Sequence, residues 1–140
     1  MNYLQSAQAL YEQMVRDRRH LHQHPEVGMD LPETCSYVMA RLTEMGYQPR
    51  RWEGASPPVT GKPDGKVFLL RADMDALPMR EESGLPFASQ RSCAHTCGHD
   101  MHTAMLLGRP SCSGTGQQSS TALSSSCSSP ARRSCQGPDP

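Results

Sequence analysis

The chain has no surplus of charge of either sign. Fourteen Lys and Arg stand against fourteen Asp and Glu, so no global field draws it to nucleic acid or to an anionic membrane. No apolar run is long enough to cross a bilayer. The opening stretch, "MNYLQSAQALYEQMVRDRRH", has neither the basic start nor the continuous apolar segment of a secretion signal. The expected address is therefore cytoplasmic. Without an oxidising destination, the six cysteines read as reduced thiols or metal ligands rather than a disulfide framework. A length of 140 residues bounds the chain to one ordinary domain at most.

A further lack is local. After Gly108 the sequence runs "RPSCSGTGQQSSTALSSSCSSPARRSCQGPDP", almost without large apolar residues. Such a segment cannot bury enough surface to offset the entropy of ordering it. Residues 109–140 are expected to be disordered, and residues 1–108 to carry the globular part.

What is present has a clear order. Leu4, Ala7, Leu10, Tyr11, Met14, Val15 and Leu21 approximate a helical stripe over residues 3–22. "HPEVG" reads as a loop, because Pro25 biases His24 away from helix. A second helix begins at "DLPET", with Asp30 as cap, Pro32 in the first turn and Glu33 at capping-box spacing. It runs to about Met45, where Gly46 supplies the left-handed C′ position. "YQPRRW" reads as a short strand. "EGASPPVTGKPDGK" is turn-rich, so a strand there is weak. In "KVFLLRADMD", Val67 to Leu70 form the continuous apolar run of a buried central strand. The run leads to Asp73 and Asp75, where open α/β sheets form their sites. The plainer reading is that these aspartates cap a turn or a helix. "HDMHTAMLLG" starts a further helix, which Pro110 is expected to stop at Arg109. Helix, helix, strand, strand, helix is an α/β order, cut short and with sheet faces left to cover.

The densest chemistry lies in "CAHTCGHDMH", residues 93–102. Cys97 and His99 are one residue apart, so thiolate and imidazole reach one ion from a turn, and both suit zinc and related metals. His95 and His102, each taken alone, read as ordinary hydrogen-bonding or surface histidines. Cys93 reads as a small buried apolar residue. A closed structural zinc shell of Cys93, His95, Cys97 and His99 is formally possible. Its alternating spacing differs from the usual C-x2-C knuckle and ranks second.

Three stretches, "RRHLHQHPEVGMDLPET", "LLRADMDALPMREESGLPFAS" and "CAHTCGHDMHTAMLLG", together resemble the M20 metallopeptidase family. The likeness is to the amidohydrolase branch typified by hippurate hydrolase, N-acyl-amino-acid amidohydrolase and indoleacetyl-amino-acid hydrolase. The resemblance implies the N-terminal part of an α/β zinc-peptidase-like catalytic domain, without the inserted lid or dimerisation domain. It implies hydrolysis of the amide of small N-acyl amino acids through one or two divalent metals such as Zn, Mn or Co. It assigns Cys97 and His99 as metal ligands. Asp73, Asp75, Asp100 and His102 take supporting roles around the metal. The family's other ligands are a Glu-Glu pair in an "FQPxEE" motif and two later histidines, and the first Glu is the general base. Family members are often homodimers, which this stretch does not itself support. Neither a nucleic-acid nor a membrane partner is implied.

The likeness stops at Gly108. Shifted by one base, codons for Ser128 to Pro140 can encode "FQPGEEVLPGARP", and codons for Ser120 to Cys127 can encode "LNGTVKLL". The expectation is a frameshift near codon 108 or 109. Ala131, Arg132 and Arg133 then stand where the Glu-Glu codons belong. By lineage the chain is a metal-dependent amidohydrolase. As a 140-residue polypeptide it is expected to be inactive, with no catalytic base of its own. The alternative is a small structural metal-binding module using Cys93, His95, Cys97 and His99.

Overall fold

The computed structural model describes residues 3–49 and 71–112. Four helices order these residues: α1 (Tyr3–Ala9), α2 (Tyr11–Gln23), α3 (Pro32–Glu44) and α4 (His99–Cys112). The single helix expected over 3–22 is thus two. Leu10 takes φ −90° and ψ −7°, and its N–H bonds the Ala7 carbonyl at 3.2 Å in a tight turn. The expected apolar stripe is buried only in part. Leu4 and Tyr11 are exposed, Leu21 is buried, and α2 also buries Asp17 and His22. Polar residues thus share the inner face of this helix with Leu21.

α3 begins where Pro32 predicts, because proline fits the first helical turn. Its cap is not Asp30. The N-cap is Leu31, with no side-chain cap of its own, so Asp30 sits one residue too early. The carboxylate of Glu26 caps from the preceding loop. The Glu33 N–H bonds its Oε1 at 3.1 Å and the Thr34 N–H its Oε2 at 2.8 Å. At the other end Gly46 has φ +85°. Gly46 N–H bonds the Thr43 carbonyl at 2.9 Å and Tyr47 N–H the Leu42 carbonyl at 3.0 Å. This is the paired bonding of a Schellman cap.

Leu31, Val38, Leu42, Met74 and Leu107 form the apolar cluster, with Cys35 and Met45 packed against it. It joins α3, α4 and the extended segment around Met74. α4 lies against α2, and the contact is close because Gly108 has no side chain. A Cβ there would stand 2.8 Å from Met14 Sδ. A polar joint fixes α3 to α2. The buried Asp17 Oδ1 accepts bonds from Tyr37 Oη at 2.7 Å, Arg41 Nε at 3.0 Å and Gln13 Nε2 at 2.8 Å.

The expected sheet appears only as isolated pairings among the described residues. Val27 bridges Ala76 in parallel, and Leu77 bridges Ala94 antiparallel. Tyr47 to Pro49 carry no strand. Val67 to Leu70, Arg50 to Trp52, the turn-rich loop and residues 113–140 lie outside the described residues. The helix expected to stop at Arg109 continues through Pro110 to Cys112. Proline removes one N–H from the ladder but leaves the φ of a helix in place. Among the described residues, no helix is long and apolar enough to cross a membrane. Cys35, Cys93 and Cys97 carry no disulfide.

Candidate metal centre

Two short pieces of chain build the site. The first is the extended segment carrying Asp73 and Asp75. It is pinned on both sides: Ala76 N–H bonds the Glu26 carbonyl at 2.7 Å, and Leu77 and Ala94 exchange backbone bonds at 3.0 Å. The second is the turn into α4. Gly98 adopts φ +83°, a left-handed conformation that glycine takes without steric cost. Its N–H bonds the His95 carbonyl at 3.1 Å, and its carbonyl accepts from Met101 at 3.0 Å and His102 at 3.2 Å. Cys97 and His99 flank this glycine, so one turn delivers both side chains. Thr103 locks the two pieces together, its hydroxyl bonding the Asp73 carbonyl at 3.0 Å.

His99 is held in one tautomer. Its Nδ1 lies 2.9 Å from the Asp75 carbonyl oxygen and 3.0 Å from Asp75 Oδ1. Both partners can only accept, so Nδ1 carries the proton and Nε2 keeps its lone pair. Nε2 faces Asp73, 3.9 Å from Oδ2. A carboxylate behind the imidazole, fixing Nδ1–H and turning Nε2 towards Asp73, is the arrangement of metal-bound histidine. His102 follows one turn later, its ring stacked 5.5 Å from that of His99. Ligand atoms of Asp73, His99 and His102 all lie within 4.8 Å of one another. Cys97 Sγ lies 3.8 Å from the same Asp75 carbonyl that holds His99. The converging donors, two imidazoles and a carboxylate, fit a divalent transition metal, and the Cys97 thiol lies beside this group rather than within it.

The other residues singled out by sequence fall around this group. Asp75 is buried beneath His99. Asp100 is buried in the first turn of α4 and faces away from His99. Its Oδ2 pairs with His22 Nδ1 at 2.7 Å and Arg18 Nε at 2.7 Å. A carboxylate at a helix N-terminus is favoured by the helix dipole, and here it also ties α4 to α2. His95 is buried, and neither ring nitrogen has a hydrogen-bond partner. Burial pushes its pKa down to about 4; Asp100 and Asp75 oppose the change, and His22 and His99 add to it. Cys93 turns its thiol to the Pro25 carbonyl at 3.2 Å, so the set Cys93, His95, Cys97 and His99 is not drawn to one point.

Sequence reading missed the support under the site. His22 lies between two carboxylates, Asp100 on Nδ1 and Glu81 on Nε2 at 2.9 Å. Glu81 also takes the Ser89 N–H at 2.7 Å and the Ser83 hydroxyl. Burial acts to raise the Glu81 pKa. The bonds from Ser83, His22 and the Ser89 amide outweigh it and bring the value down to about 2. Phe87 meets the His22 ring edge-on at 5.6 Å and lies 5.0 Å under the Arg18 guanidinium. The residues were in view in "RRHLHQHPEVG" and "MREESG", but no local spacing links them.

The stretch that carries this geometry is similar to known proteins. Residues 69–110 match the family described as Peptidase family M20/M25/M40. The N-acetyl-L-cysteine deacetylase of Bacillus subtilis (strain 168) is 44% identical over 103 residues, covering 71% of this chain and 25% of the relative. The N-acyl-L-amino acid amidohydrolase of Geobacillus stearothermophilus is 43% identical over 96 residues, covering 65% of this chain and 26% of the relative. The crystal structure of the Bacillus subtilis YXEP protein, a dinuclear metal binding peptidase from the M20 family, is similar with a TM-score of 0.62 and 34% identity. That likeness covers 74% of this chain and 31% of that one. The chain belongs to the M20 peptidase family. It spans about a quarter of the length of the curated relatives it matches.

Proposed function

We propose that the chain carries the first part of a divalent-metal amidohydrolase centre, with Cys97 and His99 as ligands. Asp75 fixes the His99 tautomer, Asp73 and His102 line the metal's other side, and Asp100 holds the turn on α2. The substrate class is a small N-acyl amino acid, hippurate-like, met in the cytoplasm. The observation that carries this reading is His99, with Nδ1 held by Asp75 and Nε2 turned towards Asp73, in one group with His102. When bound, the metal lowers the pKa of its water and polarises the amide carbonyl. The chain's own part is to orient the imidazole, supply the thiol and keep the supporting carboxylates in place.

The carboxylate base expected beside such a centre is not supplied by the matching stretch of this chain, where Ala131, Arg132 and Arg133 stand. We attribute this to a one-base frameshift near codon 108 or 109, and the 140-residue polypeptide alone is expected not to turn over. Sequencing that gene region tests the frameshift directly. Nucleotides that cannot give "FQPGEE" in another frame refute it. The ligand assignment is tested by cobalt loading. Co2+ bound through Cys97 gives thiolate-to-metal absorption that Cys97→Ser abolishes, and binding without that absorption rejects Cys97 as a ligand. The second reading, a structural module of Cys93, His95, Cys97 and His99, draws support from the unpartnered His95 nitrogens. It predicts that Cys93→Ser weakens zinc binding as much as Cys97→Ser does.

A further inference from the structure

We propose a second metal site on different residues, formed by His20 and His24 at the C-terminal end of α2, for an imidazole-preferring ion such as Cu2+, Ni2+ or Zn2+. The two histidines are four residues apart and share a face of the helix end. His22, between them in sequence, points into the protein and is already committed to Asp100 and Glu81.

The geometry of the pair carries the inference. His24 Nδ1 lies 2.8 Å from the His20 carbonyl oxygen. That oxygen can only accept, so Nδ1 carries the proton and Nε2 is left as a lone pair. Backbone carbonyls fix metal-bound histidines in this way. The rings of His20 and His24 stack with centroids 4.6 Å apart. Two imidazoles bound side by side to one ion, at about 2.1 Å per nitrogen, have centroids roughly 4.5–5 Å apart. Tyr37 stacks on the other face of His20 at 3.9 Å and holds that ring in place.

The surroundings suit a hydrated cation. A cavity of about 220 Å³ opens here, lined by His20, Leu21, His24, Glu33, Thr34 and Tyr37. Glu33 brings negative charge to its wall, with Oε2 held by Arg91 at 2.7 Å. Thr34 lines the same cavity and is 3% exposed. Burial and the neighbouring His24 lower the His20 pKa, which favours the neutral ring a metal needs.

The test uses the full 140-residue chain with Cys97→Ser and His99→Ala, which silences the centre described above. Calorimetric titration with Cu2+ is expected to find one remaining site. Adding His20→Gln or His24→Gln is expected to weaken it at least tenfold, while Tyr37→Phe keeps the two nitrogen ligands in the electron paramagnetic resonance spectrum. Residual binding that neither Gln substitution moves overturns the proposal, as does the absence of any residual site in a folded chain. A wild-type measurement decides the matter if the silenced chain does not fold. Substoichiometric Cu2+ is expected to broaden the ring proton resonances of His20 and His24 together. Broadening confined to His99 and His102 overturns the proposal.

Discussion

Replacing Asp75 by Ala is expected to weaken Co2+ binding at Cys97 and His99 about tenfold, not to abolish it. The magnitude follows from how His99 is held. Its Nδ1 has two acceptors, Asp75 Oδ1 at 3.0 Å and the Asp75 backbone carbonyl at 2.9 Å. The substitution removes only the first. Loss of a partner behind a metal-bound histidine typically costs about 10–100-fold in affinity, and the retained carbonyl sets the loss at the lower end. Tenfold corresponds to about 1.4 kcal/mol. Asp75→Asn keeps an amide oxygen for the bond and is expected to lose less. The assay is cobalt competition against a chelating dye, followed through the thiolate absorption, with circular dichroism to verify folding because Asp75 is buried. Affinity unchanged in Asp75→Ala refutes the reasoning. So does a loss as large as that of His99→Ala, which would mean that the carbonyl orients nothing.

Other outcomes follow from the same contacts. Asp17→Ala removes the acceptor of Tyr37 and one of the two carboxylates on Arg41, which keeps Glu44, and is expected to cost about 1.5–3 kcal/mol in urea unfolding, against about 1 kcal/mol for Tyr37→Phe. Without metal, stability is expected to fall in two acid windows. His95 enters the folded state neutral with its pKa pushed down to about 4 from 6.5. The unfolded chain therefore takes its proton first, and stability is lost as pH falls from about 6.5 to 4. Glu81 is held ionised, its pKa lowered to about 2 from 4.5, so its contribution is full above about 4.5 and lost as pH falls towards 2. His95→Phe shrinks the first window, to which the lowered His20 pKa also contributes, and leaves the second, read as urea midpoint against pH. Gly108→Val forces branched carbon against Met14, where even a Cβ stands 2.8 Å from Sδ. It is expected to cost about 1–3 kcal/mol through overpacking, measured by thermal unfolding.

The parts legible in the sequence were those whose chemistry is local. Pro32 and Gly46 bracket α3 because proline and glycine constrain their own backbone, whatever the chain does elsewhere. His99 and His102 come together because one helical turn separates them, and Cys97 and His99 reach the same Asp75 carbonyl from either side of Gly98. The break at Leu10 carries no such mark: neither proline nor glycine stands there. Asp30 was the natural cap by residue type, and Glu26 replaced it by reaching over from seven and eight residues away. The support under the site was least legible. His22 meets Glu81 across 59 residues and Asp100 across 78, and no periodicity encodes such a pairing. The apolar period of α2 gave only part of its inner face for the same reason. Leu21 is buried as that period has it, but Asp17 and His22 are buried beside it through Tyr37 and these distant carboxylates.

The central claim is that Cys97 and His99 form the metal-binding half of an amidohydrolase centre. Zinc-edge X-ray absorption on the 140-residue chain, at one equivalent of Zn2+, tests it most directly. Binding through Cys97 and His99 gives one sulfur scatterer at about 2.3 Å together with nitrogen or oxygen at about 2.0–2.2 Å. Cys97→Ser then removes the sulfur shell. A shell of nitrogen and oxygen alone in the unsubstituted chain, or a sulfur shell that survives Cys97→Ser, would contradict it.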